Sequence, residues 1–298
     1  MIDGLALDYA GTRVTARLAW RPDARLWQRL HAARDLRALL DTARGAAVGH
    51  YLSGLAATAG VEEIDTAFRL QFRARVAELA GWCPHAWRAA VHWCAHLIDL
   101  AAVAHLWTST PLRWMQADPV LARYAGAAAR DASRRAALVG GPLAPLGRAL
   151  LAHAAAPPAR RGGTAGRGGA LAPLPVVLAA WRAHWHALQP RVCAEQRAAL
   201  VRLEHDLLAH RHRFAQLPPA DAVAARDRVA ARALALLRAD ATQPVALFAY
   251  LVLLALDLER LRAECLGHAF DAATGSIAAG STAARDRPSA ALAQERAA

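Results

Sequence analysis

The sequence predicts an all-α protein, and three observations carry that reading. Ala, Leu, Arg and Glu, all good helix formers, dominate the 298 residues, with Ala alone supplying about a quarter of the chain. Val and Ile are sparse and rarely alternate with polar residues, so no segment shows the period of two that a half-buried strand requires. Breakers recur at Gly60, Pro84, Pro111, Pro119, Gly140-Gly141-Pro142, Pro190, Pro218-Pro219 and Pro244. They leave helices of roughly 15–28 residues joined by short turns.

Taken along the chain, each element has a local reason. After Gly60, the acids Glu62-Glu63 stand where the first turn of a helix favours negative charge. From Trp87 the apolar positions Val91, Cys94, Ile98 and Ala101 recur at steps of four, three, four and three, one helical stripe with Arg88, His92 and His96 off it. Pro157 to Pro175 (PPARRGGTAGRGGALAPLP) is rich in Gly, Pro and Arg and reads as a flexible loop. The longest apolar run, Val245 to Leu256, has twelve residues between Pro244 and Asp257. A bilayer needs about 20, so this run predicts a buried helix and no membrane span. After Phe270 the residues turn small and polar without apolar periodicity, which predicts a disordered tail. The expected organisation is helical lobes over 1–156, the loop at 157–175, helical lobes over 176–270 and the tail at 271–298.

Composition narrows the function classes. The 36 basic residues are all Arg, Lys and Asn are absent, and the formal charge is +12. An Arg that merely replaces a solvated Lys says nothing about phosphate, so GC-biased coding explains the charge better than nucleic acid does. Arg161-Gly162-Gly163 and Arg167-Gly168-Gly169 echo RGG segments, but no aromatic lies between Pro157 and Pro175 for a base to stack on. No nucleic-acid partner is expected, and a basic helical nucleic-acid-binding or regulatory protein is the alternative reading. Cys83, Cys94, Cys193 and Cys265 are too few and scattered for a disulfide scaffold. Residues 1–20 carry Asp3 and Asp8 and lack the apolar core of a secretion signal, so the expected compartment is the cytoplasm.

Catalytic signatures are missing. The group Cys83, His85, His92, Cys94 and His96 is the most tempting metal candidate, and His92 and His96, four apart, are weak candidates for one metal. Cys94 falls on the opposite, apolar side, and no CxxC or HExxH frames the pair. There is no GxSxG, and the glycines of Arg161–Gly169 lack the lysine of a phosphate loop. The expectation is therefore no catalytic, cofactor or metal site, and no enzyme. Trp82, Trp87, Trp93, Trp107 and Trp114 fall within 33 residues, with Trp181 and Trp185 as a second group. Aromatics of this size anchor helix packing, so most belong to the core and one or two to an interface.

Three segments repeat a shape: Ala86–Trp107, Glu195–Phe214 and Pro244–Glu264. Each runs through an apolar helical half to an Asp-Leu pair, at Asp99-Leu100, Asp206-Leu207 and Asp257-Leu258. An Arg follows five residues after the Asp in the last two, Arg211 and Arg262, with Ala104 in that place in the first. A spacing of five is not a same-face spacing, so such a pair ties a helix to different neighbours.

In that order the segments resemble the C (or d) subunit family of V/A-type ATPases. Asp8-Tyr9-Ala10-Gly11-Thr12-Arg13-Val14-Thr15-Ala16-Arg17 is similar to the family's opening helix, and Leu36–Leu55 to its next, Leu-rich element. Ile64–Leu79 and Trp87–His105 resemble the helix pair that ends in an Asp-x-x-Asn-Leu…Arg signature. Asp99 and Val103 fit it, while Ala102 replaces the Asn. The second signature falls on Asp206 and Arg211, with Ala209 at the Asn place, and the third on Pro244, Tyr250, Leu251, Asp257, Leu261 and Arg262. The resemblance covers about residues 8–270. It implies a multi-helix funnel of three pseudo-repeated lobes, with Tyr9, Arg13, Asp99, Asp206, Arg211, Tyr250, Asp257 and Arg262 as structural motif positions. It also implies a rotor adaptor on the inner face of the cell membrane. Its partners would be the proteolipid ring and the central-shaft subunits, with membrane contact only through the ring and no cofactor.

Overall fold

A computed structural model describes residues 2–126, 131–156, 173–214 and 217–285; within these, the side chains of 2–4, 211–214, 219–220 and 272–285 lie outside the described set. The protein is all-α: 80% of it is helical, and no strand occurs among the described residues.

The helices are α1 (Ile2–Leu18), α2 (Ala24–His31), α3 (Leu36–Arg44), α4 (Val61–Trp82), α5 (His85–Trp93), α6 (Leu100–Thr108) and α7 (Arg113–Ala117). They continue with α8 (Ala122–Ala125), α9 (Asp131–Gly140), α10 (Ala144–Ala155), α11 (Pro173–Leu188), α12 (Ala194–Phe214), α13 (Pro219–Ala239) and α14 (Pro244–Arg285). Side-chain caps set several starts. Asp23 and Asp35 each accept a backbone N–H three residues on, at 2.7 Å, from Leu26 and Ala38. Glu63 reaches back to accept the Gly60 N–H at 3.0 Å, which is why α4 begins where the sequence placed its acidic first turn.

Two features differ from the sequence expectation. The stripe from Trp87 to Ala101 is not one helix: α5 ends at Trp93, and Cys94–Asp99 is a 3-10 turn before α6. Near the end of that turn the Ile98 carbonyl accepts Arg69 Nη1 at 3.0 Å. Several helices are also shorter than 15 residues, notably α7 with 5 and α8 with 4, between Pro111 and Gly126. There Asp118 holds the turn by accepting the Val120 and Leu121 N–H groups at 2.9 and 3.1 Å.

The expected loop overlaps α11, whose first turn takes Pro173 and Pro175, the place where a missing N–H costs nothing. The rest of it, residues 157–172, lies outside the described residues. α14 runs for 42 residues to Arg285, beyond the Phe270 at which the sequence loses its apolar period; its Ala content sustains helix there. Residues 286–298 of the expected tail lie outside the described residues. The stretch His85–Thr108 is long and apolar enough to cross a membrane, with mean hydropathy 1.3, but 56% of its apolar window is buried inside the protein.

By internal packing the chain divides into two compact units, Met1–Leu18 with Arg69–Ala255, and Ala19–Phe68 with Leu256–Ala298. The boundaries fall within α4 and α14 and next to the end of α1, not at the 157–175 loop. The first unit has a tryptophan-rich core. Trp87 and Trp185 meet Phe248 edge-on at 5.9 and 5.1 Å between ring centres, and Trp181 stacks on Trp185 at 5.9 Å. Trp87, Trp93, Trp107, Trp181 and Trp185 are all buried, as their size predicts. Two glycines permit close approaches in this unit. A Cβ on Gly11 of α1 would lie 2.1 Å from the Ala241 carbonyl oxygen, and one on Gly147 of α10 would lie 2.4 Å from that of Leu138. The second unit packs Leu26, Trp27 and Leu30 of α2 and Leu36, Leu39 and Leu40 of α3 into its core, together with Leu258, Leu261 and Cys265 of α14. Fully burying each such large side chain stabilises by about 1.5–3 kcal/mol.

Candidate functional site

α4 positions Arg69 and Arg73 one turn apart on the same face, beside the buried Phe68, Phe72 and Val76. That face meets two acids with no exposed side-chain surface, Asp99 at the end of the 3-10 turn and Asp118 after α7. Each arginine binds both acids. Arg69 donates to Asp99 at 2.8 Å and to Asp118 at 3.1 Å; Arg73 donates to them at 2.6 and 2.9 Å. The Trp114 ring lies 4.7 Å from the Arg69 guanidinium, and His96 Nδ1 is 3.2 Å from Asp99.

Two charges of each sign cancel, and the carboxylates are saturated with donors. Burial pushes the Asp118 carboxyl up, but Arg73 and the Leu121 and Val120 amides outweigh it and hold the group below the usual carboxylate range. Burial draws the Arg73 guanidinium down, and the charge of Asp99 with the hydrogen bonds to both acids holds it above its ordinary value. Asp118 and Arg73 therefore stay charged near neutral pH. What the cluster can do is tie α4, the 3-10 turn and the segment after α7 into one body. Removing one partner of such a buried set costs about 3–5 kcal/mol, since it strands the opposite charge.

The other two acids of the repeated pattern also pair with arginines from elsewhere in the chain. Asp257 on α14 is nearly buried and takes a bidentate fork from Arg21, at 2.6 and 2.7 Å. Hydrogen bonding to Asp257 holds the Arg21 guanidinium above its ordinary value. Asp206 on α12 takes Arg232 of α13 at 2.6 Å, an exposed pair. Arg262 pairs with Asp65 at 2.7 Å, so the +5 arginine and its Asp257 reach different partners, as their spacing requires. The side chain of Arg211 lies outside the described residues.

Tyr9 and Arg13 form a surface stack on α1. The Arg13 guanidinium is 5.6 Å from the Tyr9 ring centre and 5.0 Å from that of Trp82, and Arg17 lies 5.9 Å from Trp82 while bonding Glu78 at 2.6 Å. Tyr250 is buried in the first unit. Tyr9, Arg13, Asp99, Asp206 and Tyr250 thus belong to one unit, and Asp257 and Arg262 to the other.

His92 and His96 do not share a helical face, because the 3-10 turn begins between them. His92 is exposed and His96 turns to Asp99. No group of three metal-ligand side chains occurs among the described residues. Cys83, Cys94 and Cys265 are buried, and burial pushes their thiols up, Cys83 and Cys265 to about 12, so they carry a proton at neutral pH. Cys193 is exposed.

Sequence reading overlooked Arg69, Arg73, Asp118 and Arg21. A signal existed for the first two: an arginine pair at i,i+4 flanking the Phe68-Phe72-Val76 stripe. Asp118-Pro119 carried only the mark of a turn, and Arg21 no mark at all. Compared with known protein families, with curated proteins and with solved structures, the chain matches none of them.

Proposed function

We propose that this chain is a non-catalytic subunit of a V/A-type rotary ATPase, resembling the C/d subunit that couples the central shaft to the membrane proteolipid ring. On this reading its helices form a funnel of three related lobes at the cytoplasmic face of the membrane, passing torque to a ring that carries protons or sodium ions. The observation that carries the reading is the ordered series of motif positions over residues 8–270. Support comes from the acids of that series, since Asp99, Asp206 and Asp257 each bind an arginine from elsewhere in the chain. Cross-ties and close packing suit a part that transmits force, because densely packed interiors are stiff and pass strain on.

The test is co-purification. A tagged full-length chain, recovered from detergent-solubilised membranes of the cells that make it, should bring down proteolipid and shaft subunits in fixed ratio. Recovery without any ring or shaft subunit would sink the proposal.

A further inference from the structure

α13 returns alongside α12, tied by Gln196–Gln243 at one end and by Asp206–Arg232 further along. Apolar packing is uneven along the pair. Towards Gln196, Ala199, Leu200 and Leu203 of α12 and Ala233 and Leu237 of α13 are buried. From Glu204 to His210 no α12 side chain is fully buried, and a cleft of 530 Å³ lies between the helices there. His210 is half-buried on the cleft wall, and the cations that act on it, Arg226 and Arg228, come from α13. On its own helix His205 and Asp206 share the wall, and Arg232 engages Asp206 at 2.6 Å. Glu204 turns to α11, where it meets Arg182 and His186. Asp221 and Asp227 of α13 are exposed and line no part of the cleft.

We infer that α12 and α13 form a pH-responsive hairpin, closed at neutral pH and opening at the His210 end when that imidazole takes up a proton opposite Arg226 and Arg228. Histidine changes charge between about pH 5 and 8, and a further cation in this cluster repels the two already there. Burial, then Arg226 and Arg228, lower the His210 pKa, so the closed pair favours the neutral ring. A base depressed in this way leaves closure complete above the ordinary histidine value of about 6.5 and weakens it as pH falls below that value. The opening is local, because a segment with few buried apolar side chains opens without the rest of the protein. It is independent of any role in a rotary ATPase.

Amide hydrogen exchange of the full-length chain tests it, at about pH 7.5 and about pH 5.5, with rates corrected for the intrinsic pH dependence of exchange. The variants are His210→Gln, which stays neutral at both values, and His92→Gln, an exposed control on α5. Unchanged circular dichroism at the higher pH verifies their fold. In the wild type, protection over residues 204–210 and 221–229 should fall by about threefold or more at the lower pH, while α4 keeps its protection. His92→Gln should show the same fall, and His210→Gln should abolish it. Protection at this end that does not change with pH, a fall that persists in His210→Gln, or an equal fall in every helix would overturn the inference.

Discussion

Trp93 and Trp181 each donate the indole N–H to the other's backbone carbonyl, at 3.0 and 3.2 Å across 88 residues of sequence. Both side chains are buried, so neither carbonyl has water as an alternative partner. The reciprocal pair fixes α5 against α11 in register and orientation, which apolar contact alone does not do.

Replacing Trp93 with Phe keeps most of the apolar surface but removes the indole donor from the Trp181 carbonyl, which lies inside α11 and keeps its helical partner. A stability loss of about 0.5–1.5 kcal/mol is expected from urea unfolding. Because Trp181→Phe breaks the same reciprocal set, the double variant should lose less or more than the sum by about 0.5 kcal/mol or beyond. Strict additivity would mean that the two bonds do not act together.

The buried charge cluster predicts a contrast. Arg73→Met strands part of the negative charge of Asp99 and Asp118, both without exposed surface, and should destabilise by about 3–5 kcal/mol. Removing Arg232 breaks an exposed pair at a similar distance and should cost at most about 1 kcal/mol. Urea midpoints of the two variants give the comparison directly.

Asp118 also predicts the acid limb of stability. Its carboxyl is depressed in the folded state, so its contribution is complete above the unfolded value of about 3.9 and disappears as pH falls through the folded value. Asp118→Asn should therefore be less stable than wild type at pH 7 and show a flatter decline at acid pH. A decline parallel to wild type would show that other groups govern acid unfolding.

Glycine positions separate close approach from mere helix content. Gly11→Ala puts a methyl group against the Ala241 carbonyl and should lower the thermal midpoint markedly. Gly267→Ala on α14 meets nothing within 4 Å and should stabilise, by up to about 1 kcal/mol, through helix propensity. Differential scanning calorimetry distinguishes the two signs.

What was legible in the sequence was local. Composition, the breakers and the acidic first turn at Glu62-Glu63 marked an all-α chain, and side-chain size marked the buried tryptophans. Periodicity read Trp87 to Ala101 as one helix and missed the 3-10 turn. Within that turn the Ile98 carbonyl takes a hydrogen bond from Arg69, 29 residues earlier, and no local period records such a partner. The same limit hid Arg21, whose carboxylate lies 236 residues away. Asp99, Asp206 and Asp257 were legible as a repeated pattern, but not the arginines that each would meet.

The central claim, that this chain couples a rotary ATPase shaft to its ion-carrying ring, is tested most directly by ATP-driven ion uptake. The measurement uses inverted membrane vesicles from cells with and without an intact gene for this chain. Uptake should be abolished without the chain and restored by the wild-type gene, while ATP hydrolysis by the detached catalytic head continues. ATP-driven uptake that is undiminished in vesicles lacking the chain would contradict the account.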